Sequence, residues 1–324
     1  MAVGVCALQA CGGHAVDLDR VSGPTILPGE GGGAETIVLP EEITSLFVDD
    51  SRIYWRTSGF KFESCLKSEC GAITTYANNQ AVSVAVGNGH VYWNAIETGQ
   101  SILSCPSTGC VGAPTRVVED PSLGSISADG DYVYWVSALD IYRCPYSGCG
   151  PTPELVAPQE TTLWQLAFQG TNAFWSERQT IAGDPAVIRQ VPKDGSAAPS
   201  TFLQAATDSL ATNAMNVYWL DYSGTVFSCS SSGCGSEGPI PIATDVGRQQ
   251  GLTVDASSAY WIDNSQEATQ VAVHSCPLTG CGSNPTTITP TGVVAFAVDD
   301  RYVYWVEVGS QKFGSGKNIH RIPK

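Results

Sequence analysis

Positive charge is what this chain has least of. Lys and Arg number 16 against 31 Asp and Glu, for a formal net charge of −15. Nucleic-acid affinity rests largely on Lys and Arg neutralising phosphates, so this balance argues against such a partner. An acidic surface also serves solubility in an exported protein. Charged residues of both signs make up only 15% of the chain, and there are two Met beside 34 Gly and 19 Pro. That composition disfavours long helices and suits many short strands joined by turns. After the first residues no stretch approaches the roughly 18 consecutive apolar residues of a spanning helix. Catalytic signatures are scarce too: there is no Gly-x-Ser-x-Gly elbow, no His-Glu-x-x-His and no phosphate loop. The four histidines, His14, His90, His274 and His320, fall at unrelated positions of the pattern described next. The sequence therefore offers no catalytic residue, no cofactor site and no metal site.

What the chain does have is a repeat. Aligned on a Trp, it yields SLFVDDSRIYW, SVAVGNGHVYW, SISADGDYVYW, QLAFQGTNAFW, SLATNAMNVYW, GLTVDASSAYW and AFAVDDRYVYW, ending at Trp55, Trp93, Trp135, Trp175, Trp219, Trp261 and Trp305. The intervals are 38, 42, 40, 44, 42 and 44 residues. Each unit reads as strand, turn, strand. In the third, Ser125 to Ala128 and Tyr132 to Ser137 flank an Asp-Gly-Asp turn, whose residues accept positive φ or hydrogen-bond locally. A third strand at Asp140 to Cys144 and a fourth at Glu154 to Ala157 complete it. Four strands per unit, seven times over, predict an all-β fold: a seven-bladed β-propeller of four-stranded antiparallel blades. The ends fit together. Thr36–Leu39 has no unit of its own and Ile319–Ile322 lacks a fourth-strand partner, so the N-terminal strand is expected to close the last blade and remove an open edge. The seven Trp are expected in the core between sheets, not in a ligand site.

Five units carry cysteines at one spacing: Cys65 and Cys70, Cys105 and Cys110, Cys144 and Cys149, Cys229 and Cys234, Cys276 and Cys281. The fourth unit has Val191-Pro-Lys-Asp-Gly there instead, which is turn chemistry. The pairs bracket the turn between third and fourth strands, at disulfide distance. Zinc is the competing reading. A structural ion needs four ligands at one point, and equivalent turns of neighbouring blades lie on the order of 15 Å apart. Disulfides are the expectation, each stabilising by roughly 2 kcal/mol and implying an oxidising compartment.

The pairs use ten of the twelve cysteines and leave Cys6 and Cys11. Residues 1–11 resemble the end of a lipoprotein signal segment, with Leu8-Gln9-Ala10-Cys11 resembling a lipobox and Cys11 the lipid acceptor. Residues 12–34 read as a flexible tether and 35–324 as the propeller. The implied location is export, as an outer-membrane or cell-surface lipoprotein or otherwise in the periplasm, with the lipid the only membrane contact and the chain a monomer.

The Tyr-Trp units, the third strands ending Arg-(Val/Ile/Cys)-Pro and the Lys-Asp-Gly turn resemble bacterial propellers similar to the YWTD repeats of the low-density-lipoprotein receptor. Cysteine-rich versions of this kind occur in predicted lipoproteins of myxobacteria and relatives. The resemblance covers about residues 35–324 and concerns the fold. The residues after each Trp, Arg56, Asn94, Val136, Ser176, Leu220, Ile262 and Val306, are never Thr-Asp, so receptor ligand contacts are not transferred.

Propellers usually function where fourth-to-first and second-to-third connections converge. There the sequence places Glu42, Asn79, Glu160, Trp164, Asp208, Arg248 and Gln249. Trp164 is the one Trp outside the repeat; its counterparts are Thr44, Val82, Gly124, Asp208, Gln250 and Val294. An aromatic among acids, amides and an Arg predicts a shallow site for a protein, peptide or glycan. A metal-assisted envelope lyase or hydrolase, and a purely structural envelope component, are the alternatives.

Overall fold

The computed structural model describes residues 25–27, 34–96, 100–149, 152–158, 163–177, 186–246, 249–263, 271–308 and 316–324, with the backbone alone at 25–27, 163–165, 208 and 249–250. All of its regular structure is β-strand, and there is no helix among the described residues. Five units each form a four-stranded antiparallel sheet whose strands lie in chain order. The third unit shows the design: Leu123–Ala128, Tyr132–Ser137, Asp140–Pro145 and Glu154–Ala157. These boundaries match the sequence reading to within two residues at each end.

The first and seventh units share one larger sheet because a single long strand, Glu35–Val48, serves both. Its first half pairs with Gly316–Pro323, with Thr36 opposite His320 and Ile37 opposite Ile319. Its second half pairs with Arg52–Thr57, after a register break between Val38 and Ile43. The closure expected between residues 36–39 and 319–322 is thus present, with the paired segments each one residue earlier, Glu35–Val38 against Asn318–Arg321. Thr25–Leu27, inside the 12–34 stretch, adds an antiparallel strand on the other edge of Thr36–Val38.

The Tyr-Trp pair explains how neighbouring sheets hold together. Adjacent residues on a strand point to opposite faces, so each second strand offers its Trp to one neighbour and its Tyr or Phe to the other. Tyr54 shares a hydrophobic cluster with Trp93, Tyr92 with Trp135, Tyr134 with Trp175, Phe174 with Trp219, Tyr218 with Trp261 and Tyr260 with Trp305. Tyr304 then packs with Trp55, joining the end of the chain to its beginning. The seven Trp are at most 2% exposed, so they are core, as expected.

All five cysteine pairs are bonded, with Cα–Cα distances from 4.7 to 5.7 Å. The first Cys of each pair sits on the third strand, facing the second strand, as Val133 faces Cys144. The second Cys lies in the turn ahead of the fourth strand. In four of the five a preceding glycine with positive φ (Gly109, Gly148, Gly233 and Gly280) brings it back within reach, while Cys70 follows Glu69. The fourth unit keeps the same turn without the bridge, through Gly195 N–H to Pro192 C=O at 3.1 Å.

Candidate functional site

Every first strand carries one extra residue against its second strand. In the third unit Leu123 faces Ser137, but Ile126, three residues on, already faces Trp135. The same irregularity recurs in the other six. The aligned positions Thr44, Val82, Gly124, Trp164, Asp208 and Val294 fall at these bulges, and in the sixth unit the break follows Gln250. Bulges bend a strand and re-aim a side chain, and they gather beside functional sites. The one-sidedness of Trp164 in sequence thus has a structural setting: its backbone lies in a bulge at the entry of the fourth unit's inner strand.

The bulges also tie unit to unit. Ser83 Oγ accepts the Ile126 N–H at 3.1 Å, and Ser209 Oγ the Leu252 N–H at 2.8 Å. Arg56 donates to the Val82 carbonyl at 2.8 Å, and Asn94 to that of Leu123 at 3.4 Å. Of the sequence candidates, Glu42 is half-buried just ahead of Ile43, and Asn79 is exposed just ahead of Ala81. Asp208 and Gln249 join Trp164 as backbone positions at first-strand starts, and Glu160 and Arg248 lie outside the described residues. The five that are described stand at one end of the fold, spread over the first, second, fourth, fifth and sixth units.

The second-to-third connections reach the same end. The two long ones singled out in sequence, SERQTIAGDPA and IDNSQEATQVA, lie largely outside the described residues. The shorter ones expose apolar side chains: Phe60 (45% exposed), Ile96 (55%), Leu139 (52%) and Tyr222 (52%). Val82 joins them from its bulge. Backbone strain collects there as well. Five described non-glycine residues have positive φ; Phe60, Gln100, Ala138 and Asp245 belong to this end, and Asn88 to the other. A bulky residue in the left-handed region is an outlier that costs on the order of 1–3 kcal/mol and persists only when its surroundings hold it. Phe60 is held by its own N–H to the Thr57 carbonyl and by its carbonyl accepting the Ala81 N–H, both 3.0 Å. The Arg56 guanidinium lies 5.6 Å from its ring centroid.

The opposite end is built from paired charges. In the first, third, sixth and seventh units an Asp six residues before the Trp caps its turn: Asp129 Oδ1 accepts the N–H groups of Asp131 and Tyr132 at 2.8 Å, while Oδ2 accepts the Tyr134 hydroxyl at 3.1 Å. Asp49, Asp255 and Asp299 repeat the pattern. A lysine just past the third strand of the following unit then reaches three of them: Lys193 to Asp129, Lys324 to Asp255, and Lys67 to Asp299 across the closure. Burial alone would raise these carboxyl pKa values, but the lysine and the turn N–H groups outweigh it and hold all three below the usual range. The tyrosine partners move the other way, burial and the adjacent Asp pushing Tyr260 up to about 12. Sequence reading found the turn and missed the pin, although the Asp, the Tyr and the Lys were each visible at fixed offsets.

Two cavities complete the description. One of about 490 Å³ runs along the first strands of units one to four, between Phe47, Val84, Ile126, Asp129, Leu166 and Phe168. A recess of about 660 Å³ lies at the pinned end where the seventh and first units meet, among Asp49, Asp50, Asp299, Asp300, Arg301 and Arg321. Among the described residues no three His, Cys, Asp or Glu side chains are grouped to hold a metal ion. His90, His274 and His320 stand in different units: His320 Nδ1 meets Thr36 Oγ1 at 2.9 Å, and His274 Nδ1 meets Thr287 Oγ1 at 3.2 Å.

No protein-family model matches the chain, and no curated protein matches it by sequence. Solved structures do match in shape. YCF48 bound to a D1 peptide superposes with a TM-score of 0.63 at 10% identity, covering 93% of this chain and 100% of that one. The WD40 β-propeller domain of Doa1 gives 0.59 at 10% identity, over 90% and 95%. BamB from Moraxella catarrhalis gives 0.53 at 12% identity, over 93% and 94%. The likeness is one of fold: this is an all-β chain of propeller architecture.

Proposed function

We propose that the chain is a seven-bladed propeller that binds a protein or peptide at the end where its first strands begin. The blade count follows from treating the strand Glu35–Val48 as the fourth strand of the last blade and the first of the first blade. Seven Tyr/Phe-to-Trp clusters support it. The observation that carries the binding reading is Phe60, an aromatic ring 45% exposed on a positive-φ backbone, with Val82, Ile96, Leu139 and Tyr222 exposed at the same end. Exposed apolar groups cost solubility, and strain costs stability. Neither helps the fold here, because the core and the pins lie elsewhere. The similarity in fold to YCF48, solved with a peptide bound, supports a polypeptide ligand over a glycan. Five disulfides support an exported location. Lipid attachment at Cys11, with residues 1–11 as the signal segment, would hold the domain at the envelope. In a precursor with its whole signal segment, Cys11→Ser should abolish lipidation; unchanged detergent partitioning would rule the anchor out.

The binding test places a photo-crosslinking side chain either at Leu139 or at Val111, which is 99% exposed at the opposite end. Discrete adducts in envelope extracts from Leu139 and none from Val111 support the reading; equal labelling from both, or none, overturns it. If Trp164 shares the site, Trp164→Ala should weaken binding by roughly 1–4 kcal/mol and spare the melting temperature.

A further inference from the structure

We propose that the ligand is a polypeptide segment that is both apolar and basic, and that it docks across the first three blades. This deepens the binding reading above and rests on it. The exposed apolar side chains form a connected track there. Phe60 leads to Val82 through Arg56, which lies 5.6 Å from the Phe60 ring centroid and bonds the Val82 carbonyl. Ala81 and Ala95, buried side by side in the next sheet, set the exposed Val82 and Ile96 next to them on adjacent strands. Asn94 bonds the Leu123 carbonyl, and Ala138 N–H bonds that of Ser122, which sets Leu139 at the far end. Four apolar residues over three consecutive blades give a partner several shallow contacts, as an extended or irregular segment needs.

The charges around the track choose the partner's sign. Glu42, Asp120 and Asp140 border it, and Asp221 and Asp245 stand at the same end in the fifth blade. The only cations beside the track among the described residues are Arg56, held by Val82 and Phe60, and Lys61, paired with Glu41. Lys67, Lys193 and Lys324 are engaged at the opposite end. With a net charge of −15 behind it, an apolar track with an acidic border attracts a basic segment and repels an acidic one. The strain at Phe60 belongs to the same picture: the ring is held out on a backbone that a glycine would adopt more readily.

The test selects random linear peptides on the immobilised full chain and titrates synthetic versions of those enriched. The expected result is enrichment of sequences combining Lys or Arg with aromatic or aliphatic residues, with affinity falling as salt rises. Phe60→Gly should cut that affinity roughly thirtyfold or more while keeping or raising the melting temperature. Val111→Ala and Met215→Ala, at the opposite end, should leave it unchanged. Enrichment of acidic or uncharged peptides that still lose affinity on Phe60→Gly would overturn the basic partner and leave the binding face standing. Peptides indifferent to Phe60→Gly would overturn the track. No enrichment of any peptide would overturn both this inference and the reading it rests on.

Discussion

The pin between the third and fourth units allows a sharp test, because the molecule contains its own control. Lys193 Nζ lies 2.8 Å from Asp129 Oδ2, with side chains 18% and 6% exposed. At an effective dielectric of about 20, opposite charges roughly 4 Å apart attract by about 4 kcal/mol before costs. Immobilising the lysine costs up to about 2 kcal/mol, and desolvation takes more. A net coupling of about 1–2 kcal/mol remains. Lys193→Met should destabilise by about 1–3 kcal/mol, the lower end applying if the turn N–H groups and Tyr134 suffice to keep the carboxylate bonded. The equivalent pair between the fifth and sixth units is Asn213 with Leu278. There Asn213 Oδ1 accepts the Met215 and Asn216 N–H groups, and its Nδ2 donates to Tyr218 Oη at 2.9 Å. Asp129→Asn with Lys193→Met copies that uncharged arrangement, so the double variant should recover most of the loss. The assay is a double-mutant cycle in urea at constant m-value under non-reducing conditions. Because the Asp129 pKa is held below its ordinary 3.8 by Lys193 and the turn, against burial, the coupling should be whole above that pH and fade as pH falls through the folded pKa. A double variant no more stable than the sum of the singles, at neutral pH, would refute the reasoning.

Three further outcomes follow from the same structure. Trp135→Ala should cost roughly 3–5 kcal/mol and lower the melting temperature, since it opens a cavity between the second and third units; a thermal scan that is unmoved would contradict the packing of Tyr92 on Trp135. Non-reducing peptide mapping should return the five pairs within turns, and reduction should cost roughly 2 kcal/mol per bridge or less in the chain-entropy model; pairs between units would contradict the bonded geometry. Burial, opposed by Glu307, lowers the His320 pKa, so the folded state disfavours its proton. Stability from this group should be whole above about pH 6.5 and decline as pH falls toward the folded pKa; His320→Gln should flatten that slope, read as the urea midpoint against pH.

The fold was legible because its repeat is written in residue types with one physical reason each. A Tyr-Trp pair on a second strand supplies two aromatic faces to two neighbours, and Gly ahead of a second Cys lets a turn close a bridge. The closing strand was legible because Glu35–Leu39 and Asn318–Pro323 are incomplete in complementary ways. The pins were not. Lys67 and Asp299 stand 232 residues apart, and their meeting depends on closure of the ring. The second unit shows the rule by breaking it. Gly87 stands where four other units have Asp, and a Cβ there would lie 2.9 Å from both Ala128 Cβ and the Asp129 carbonyl oxygen, and 3.1 Å from Tyr146 Oη. Tyr146 occupies the lysine's position, its ring stacked 5.5 Å from Tyr92. Read alone, GNGH is only a turn.

The sequence marks the end where the first strands begin but not the exposed apolar residues that the fold brings there, for a related reason. Sequence alignment marks Trp164 as unusual because it compares one position across units. It cannot rank Phe60, Ile96 and Leu139, which stand five, three and four residues after their Trp and so share no aligned column. What unites them is exposure at one end of the fold, a property of the closed ring. Their loops differ in length because no packing partner fixes them, whereas the Tyr-Trp strands are fixed on both faces. Variation without a packing cause is where a repeat fold can acquire a ligand. At Phe60 that freedom has been used against local preference: the backbone takes a conformation suited to glycine and displays an aromatic ring to solvent. Within the chain itself, glycine there would relieve the backbone and forgo the Arg56 contact on the ring.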